Sequence, residues 1–271
     1  MRLFISLLLL GLAAGLRAEE TSRPATPDEV TLFKEAIKNT TQDTERWAYT
    51  ETTVMKSTKG KVREDTVVRF DPSKPWPEQY TPLKIEGKPP TDRQRKKYRE
   101  RGEKRGERLA RTAEPADATV PDQPAAQKPE KGKKVTLDLD NPRVLKDEGD
   151  RLVYDAALKA ASKDIPVDKF EVLVVVGKAA RQVEHISLRV REAFRVKLVA
   201  KVKAGEASAD FAVVDPKYGP VMVSATGSFG ASLLFVPVNG IFTNTRTEWE
   251  RVKPYNDRLK VKLGPLEVLD F

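Results

Sequence analysis

The chain has 271 residues, of which 39% are apolar and 33% are charged, and its formal net charge is +9. The low mean hydropathy of −0.51 excludes a membrane protein with several spans. The absence of cysteine excludes disulfides, thiolate metal sites and a lipid-modified N-terminal cysteine, and the single histidine disfavours histidine-based catalysis and zinc chemistry.

The N-terminus has the pattern of a secretory signal peptide. Arg2 precedes an apolar run over residues 3–16, which is shorter than the ~20 residues that a helix needs to cross a bilayer. Ala18 is a small residue at the end of this run, so we predict a signal peptide over 1–18. A cysteine-free exported chain of this size favours the bacterial periplasm. We expect residues 19–271 to form one domain.

The first part of the mature chain predicts one helix and about three strands. A leader over 19–26 precedes a helix over 27–40, which begins with proline and two acidic residues, as helix starts often do. From Arg46 the apolar period changes to two, and a turn over 58–61 joins two strands into a hairpin. A third strand is predicted at 79–86.

Residues 91–111 form a strongly basic segment with ten basic and four acidic residues, a net charge of +6. Favourable pairs of opposite charge four residues apart predict a helix. One side of this helix carries small and apolar residues that could rest on another surface: Tyr98, Gly102, Gly106 and Leu109. Residues 112–134 are rich in proline and nearly free of large apolar residues, so they predict a linker or a disordered segment. We therefore expect 91–134 to be an insertion in the domain.

The remaining chain predicts mostly strands. Apolar and polar residues alternate in short runs, such as 170–176, 186–191 and 194–203, and the last of these is the most regular. Sequential strands separated by short turns favour an antiparallel meander with one apolar and one basic face. The expected fold class is therefore mainly β, of the α+β type, with two helices.

No motif in the sequence predicts an enzyme. The glycine-serine elbow, the phosphate loop, the zinc-protease helix and the dinucleotide fingerprint are all absent. His185 lies on the polar side of its predicted strand, which indicates a surface histidine. Asp138, Asp140 and Asn141 lack the loop glycine and closing glutamate of a calcium loop, so a turn before Pro142 is expected. We expect no catalytic residue, metal or cofactor.

The apolar strand face is larger than two helices, one of them barely apolar, can cover. Either the sheet packs fully on itself, or an apolar groove remains, and such a groove normally marks a binding site. The predicted lining of this cavity is Trp47, Tyr49, Val68, Phe70, Ile186, Leu188, Phe194, Val196, Leu198 and Phe211.

The order of these features resembles the periplasmic lipoprotein-carrier superfamily, whose members are LolA-like or LolB-like. The resemblance is carried by the signal peptide, the first helix, and the segments Arg46-Trp47-Ala48-Tyr49 and Arg69-Phe70-Asp71-Pro72. The segment over 83–91 also looks like a group of uncharacterised exported bacterial proteins. The resemblance implies a strongly curved antiparallel sheet, or unclosed barrel, with helices as a lid over a cavity for acyl chains. Without cysteine, the chain departs from the lipid-anchored LolB type.

These observations lead to two hypotheses for function. The first is a non-enzymatic periplasmic protein that binds a lipid, the acyl chain of a lipoprotein or another apolar ligand, as in the sorting of outer-membrane lipoproteins. Lys96, Lys97, Arg101 and Arg105 are the predicted head-group contacts, since basic segments attract anionic lipids. The alternative is a cell-envelope scaffold whose basic helix contacts an acidic partner or an anionic membrane surface. Nucleic acid is not expected as a partner, and the sequence predicts no particular oligomeric state.

Overall fold

The computed structural model describes residues 22–41, 44–113, 135–160, 166–196, 200–233 and 236–258. The predicted signal peptide, most of the proline-rich segment and a final strand that the alternation predicts over 259–263 lie outside these ranges. The two helices are α1 (Pro27–Thr41) and α2 (Asp92–Ala113). The strands are β1 (Arg23–Pro24), β2 (Trp47–Lys56), β3 (Val62–Phe70), β4 (Tyr80–Ile85), β5 (Val135–Leu137), β6 (Arg143–Asp147), β7 (Arg151–Asp155), β8 (Leu158–Ala160), β9 (Phe170–Gly177), β10 (Gln182–Val190), β11 (Phe194–Val196), β12 (Ala200–Ala212), β13 (Val221–Leu233) and β14 (Val236–Arg251).

One large antiparallel sheet contains most of these strands. Its order is β1-β6-β7-β9-β10-β12-β13-β14-β2-β3-β4, with β11 paired to β12, while β5 and β8 form a separate pair. The two ends of the order are different strands, so the sheet is not closed. The prediction of a mainly antiparallel, unclosed sheet with two helices is therefore confirmed.

Both helices pack on the same face of the sheet, which we call the helix face. Directly paired residues share a face, and the pairing register links Tyr154, Val174, Ile186, Ala209 and Ala225 in one row across β7 to β13. The row then continues through β14 and β2 to β3. Helix α1 lies over one end of this face and α2 over the other, so β13 and β14 lie between them.

Helix α1 closes the main apolar core. Phe33 and Ala36 are fully buried, and the Phe33 ring packs against Tyr154 at 4.8 Å between ring centres. Valines of β6, β9 and β10 complete this cluster. The Tyr154 hydroxyl donates to the backbone carbonyl of Glu29 at 2.9 Å, which fixes the start of the helix over β7. The short apolar side of α1 is thus buried against this end of the sheet and does not cover the other end.

Glycine and phenylalanine alternate where β13 and β14 meet. Gly227 pairs with Phe242, and Phe229 pairs with Gly240. A β-carbon at Gly227 would lie 2.6 Å from the Phe242 ring, and one at Gly240 would lie 2.8 Å from the Phe229 ring. Each ring therefore occupies the space that a side chain at the neighbouring glycine would need, and the middle of the helix face stays apolar.

The start of α1 is held by a capping box. The Glu29 side chain accepts from the Thr26 backbone N–H at 2.8 Å, and Arg23 donates two hydrogen bonds to the same carboxylate at 2.6 and 2.7 Å. The Arg23 guanidinium, followed by Thr26, lowers the pKa of Glu29 to about 2.

A Glu29→Gln variant should therefore be less stable than the parent chain at neutral pH. A depressed folded-state pKa gives stability that is present above about 4.5 and is lost as the pH falls toward about 2. The difference in melting temperature between parent and variant should shrink over this window. Asp28→Asn, at an exposed neighbour without these contacts, is the control, and a difference that persists at pH 2 would contradict the assignment.

Two details of the fold differ from the sequence predictions. Part of the predicted leader is a strand, because Arg23 and Pro24 pair with Val144 and Arg143 of β6. The single strand predicted over 194–203 is also wrong, because β11 pairs with the start of β12 as a hairpin. Val196 pairs with Ala200 across this hairpin, so the even–odd alternation passes through the reversal unbroken.

Candidate functional site

A groove of about 490 Å³ lies on the helix face between α2 and the strands β13, β14, β2 and β3. This volume is within the range of ~300–1,000 Å³ that is typical of small-molecule sites. The groove is partly open to solvent. The residues that line it are Tyr49, Glu51, Thr53, Met55, Val68, Phe70, Tyr80, Arg101, Met222, Ala225, Phe242, Asn244 and Arg246.

One wall of the groove is apolar and made of flexible or aromatic side chains. Met55 of β2, Met222 of β13 and Phe242 of β14 lie on it, with Ala225 between them. Methionine side chains are unbranched and adapt to irregular apolar shapes. This wall can therefore hold an apolar chain without a single fixed geometry.

An ion pair lies in the floor of the groove. The Arg246 Nε donates to Glu51 Oε2 at 3.0 Å, and both side chains are about four-fifths buried, with 22% and 20% exposed. The Arg246 guanidinium also lies 4.6 Å from the centre of the Tyr49 ring. Burial raises the pKa of Tyr49 to about 12, so its hydroxyl stays neutral and can donate at physiological pH. The groove thus combines apolar walls with a small polar centre.

Helix α2 forms the remaining wall because two glycines let it approach the turn at Trp76–Glu78. A β-carbon at Gly102 would overlap the Trp76 carbonyl oxygen, and one at Gly106 would meet the Trp76 ring. Arg105 is buried between them and donates to Gln79 Oε1 at 2.8 Å while pairing with Glu45. Burial lowers the pKa of Arg105 to about 10. Because neither glycine carries a β-carbon, the backbone of α2 can lie directly against the turn at Trp76–Glu78.

The predicted head-group residues have different environments. Arg101 lines the groove, and its guanidinium lies 4.3 Å from the centre of the Tyr80 ring. Lys96 and Lys97 are exposed on α2. Arg105 is only 8% exposed and its guanidinium is engaged inside the fold, so in this structure it holds α2 to the sheet.

The predicted cavity residues fall into two regions rather than one. Tyr49, Val68 and Phe70 line the groove. Trp47 lies beside it, buried against Tyr218 at 5.5 Å between ring centres. The remaining described residues of the set pack away from the groove: Ile186, Leu188 and Phe211 lie against the core under α1, and Phe194 contacts Phe170. Leu198 lies outside the described residues, and of Val196 only the backbone, in β11, is described.

Most of the polar groove residues are not among the residues predicted from the sequence, although a signal for one was present. Glu51 has the same period-two spacing as Tyr49, Thr53 and Met55, so the strand pattern places it on the helix face. A charged residue within an apolar face is an unusual observation that indicates a partner or a site. That partner, Arg246, lies 195 residues away and is brought close only by the pairing of β14 with β2.

The lone histidine has a carboxylate partner on the other face of the sheet. His185 Nδ1 lies 2.7 Å from Asp210 Oδ1, and the Ser224 hydroxyl donates to Asp210 Oδ2 at 2.6 Å. These bonds, Ser224 first and His185 second, lower the pKa of Asp210. The carboxylate lies between histidine and serine, so the imidazole is not placed to take the serine proton as a catalytic base would be.

The Asp138 segment forms the expected turn. Asp138 accepts from the backbone N–H groups of Asp140 and Asn141 at 3.0 and 3.3 Å, and Lys159 Nζ lies 2.8 Å from the same carboxylate. Lys159 is the main cause that lowers the pKa of Asp138 to about 2. Across the described ranges, no group of three or more histidine or acidic side chains is arranged to hold a metal ion.

Comparisons with known proteins give one structural similarity. No family model matches the sequence, and no curated protein matches it. The crystal structure of the LolA superfamily protein NE2245 from Nitrosomonas europaea is similar over 86% of this chain and 96% of that chain, with 8% identity and a TM-score of 0.36.

Neither of the two helices in the described ranges is apolar enough over sufficient length to cross a membrane.

Proposed function

We propose that this protein is a non-enzymatic periplasmic binding protein whose groove holds the acyl chain of a lipid or lipoprotein. The proposal depends on one observation, the groove between α2 and the central strands, with an apolar wall and a polar centre. Ligand sites commonly combine a mostly apolar lining with a few polar groups that orient the ligand.

The groove lining suits an amphipathic ligand. The chain would lie along Met55, Met222 and Phe242, where each buried methylene contributes about 0.8 kcal/mol. Arg101 is exposed at the edge of the groove, where its guanidinium keeps contact with water. An anionic head group of the ligand would lie beside it. About ten buried methylene groups would then supply the ~8 kcal/mol of a micromolar affinity.

Lipid extraction and probe binding test this proposal. The chain produced with its native export signal should yield lipid when extracted with organic solvent, as measured by mass spectrometry. After delipidation it should take up a fluorescent fatty acid such as cis-parinaric acid with saturation at one site per chain. Recovery of no lipid together with no uptake of this probe by a folded sample would contradict the proposal.

A further inference from the structure

A narrow row along helix α2 carries only basic residues. Arg93, Lys97, Arg101, Lys104 and Arg108 follow one another at spacings of four, four, three and four, so they form one row along a helix with 3.6 residues per turn. We call this row the basic stripe. From first to last residue it extends over roughly 22 Å. Of the acidic residues of α2, Glu100 and Glu107 border this row, and Asp92 and Glu103 lie farther from it.

The basic stripe faces solvent. All five of its residues are exposed, whereas Arg105, on another side of the helix, is buried. Among the residues that the structure describes, Arg93, Lys97 and Lys104 form no ion pair. These side chains are therefore not held by a partner within the described fold and can turn toward an external anionic surface.

The stripe runs along the groove side of α2. Arg101, its central member, lines the groove and lies over Tyr80. Arg108 lies about two helical turns after Arg101 and therefore on the same side of α2. The opening of the groove and the row of exposed charges thus share one edge of the molecule.

We infer that the basic stripe docks the protein on an anionic lipid bilayer with the groove opening beside the head groups. Protein interfaces normally contain aromatic or apolar anchors, and single-stranded nucleic acids need aromatic residues for stacking. The stripe has neither. Long, flexible cations without an apolar centre match a fluid surface of negative head groups, where each basic residue strengthens binding by about fivefold. Docking itself does not depend on a ligand; only the transfer of lipid into the groove rests on the proposed function.

Vesicle binding tests this inference. The mature chain should sediment with vesicles of phosphatidylcholine mixed with phosphatidylglycerol but not with phosphatidylcholine alone. Replacing Arg93, Lys97 and Lys104 by glutamine should weaken this binding by about 100-fold. Binding of the parent chain should also disappear in ~1 M salt, where the screening length falls to about 3 Å.

A charge-matched variant separates the stripe from net charge. Lys201, Lys203 and Lys217 are exposed outside α2, and their replacement by glutamine removes the same three charges. We expect this control to bind anionic vesicles within about threefold of the parent chain, because these lysines lie outside the row that would contact the head groups. Equal losses in the two variants, or no sedimentation of the parent chain with anionic vesicles, would overturn the inference. Uptake of cis-parinaric acid in solution should be unchanged when only Arg93 and Lys104 are replaced by glutamine, since neither is a predicted head-group contact, so this readout reports on the groove alone.

Discussion

An Ala225→Trp variant should lose binding of cis-parinaric acid while the sheet stays folded. Ala225 lies in the groove between Met222 and Phe242, so an indole at this position occupies the space in which the chain would lie. Exclusion of about four methylene groups, at about 0.8 kcal/mol each, weakens affinity by about 200-fold. Fluorescence titration of the delipidated protein measures this loss.

The matched control for this variant is Thr243→Trp. Thr243 is an exposed residue of β14 and lies next in sequence to Phe242, but it faces away from the groove. It adds the same side chain to the same part of the sheet and should bind the probe as the parent chain does. If Ala225→Trp keeps full affinity while circular dichroism shows a native sheet, the ligand does not occupy this groove.

Gly102→Leu should release α2 from the sheet. The β-carbon would overlap the backbone carbonyl of Trp76, which has no rotamer to change, so the helix must move. Overpacking of this kind costs about 1–3 kcal/mol, which raises the population of undocked helix by about 5- to 150-fold. Trypsin cleaves after lysine and arginine, and α2 is rich in both, so early cleavage within α2 should accelerate by a similar factor.

The neighbouring substitution Glu103→Leu provides the control for this experiment. Glu103 is exposed, so the same leucine side chain adds no contact with the Trp76 turn. Its α2 should be cleaved at the parent rate, as followed by mass spectrometry of the fragments. Equal cleavage of all three proteins within α2 would mean that the helix is not held through Gly102.

The period of apolar residues was enough to predict the fold class, because local patterning reflects which face of each element is buried. The seam of α2 was also visible, since Gly102 and Gly106 interrupt a charged helix at helical spacing. Trp76, on which this seam packs, could not be identified from the sequence, because it lies in a proline-rich turn without periodicity. The β11–β12 hairpin was missed for a different reason: pairing of Val196 with Ala200 preserves the alternation through the turn.

The candidate site was less accessible from sequence than the fold. Strand alternation placed Tyr49 and Phe70 on the helix face, and both line the groove. It also placed Ile186 and Leu188 there, but α1 and its core take up that end of the sheet. Alternation identifies a face but not which part of it a helix covers. Which strands lie under a helix depends on the strand order, and this order joins segments far apart in the chain.

The pairing of β14 with β2 has a consequence for the synthesis of the chain. Glu51 and Arg246, which meet across this seam, are 195 residues apart. Because translation adds about 5–20 residues per second, β14 is synthesised roughly 10–40 seconds after β2. During that interval the first hairpin has an unsatisfied edge and an uncovered apolar face, so a chaperone that shields nascent strands should increase the yield of native protein.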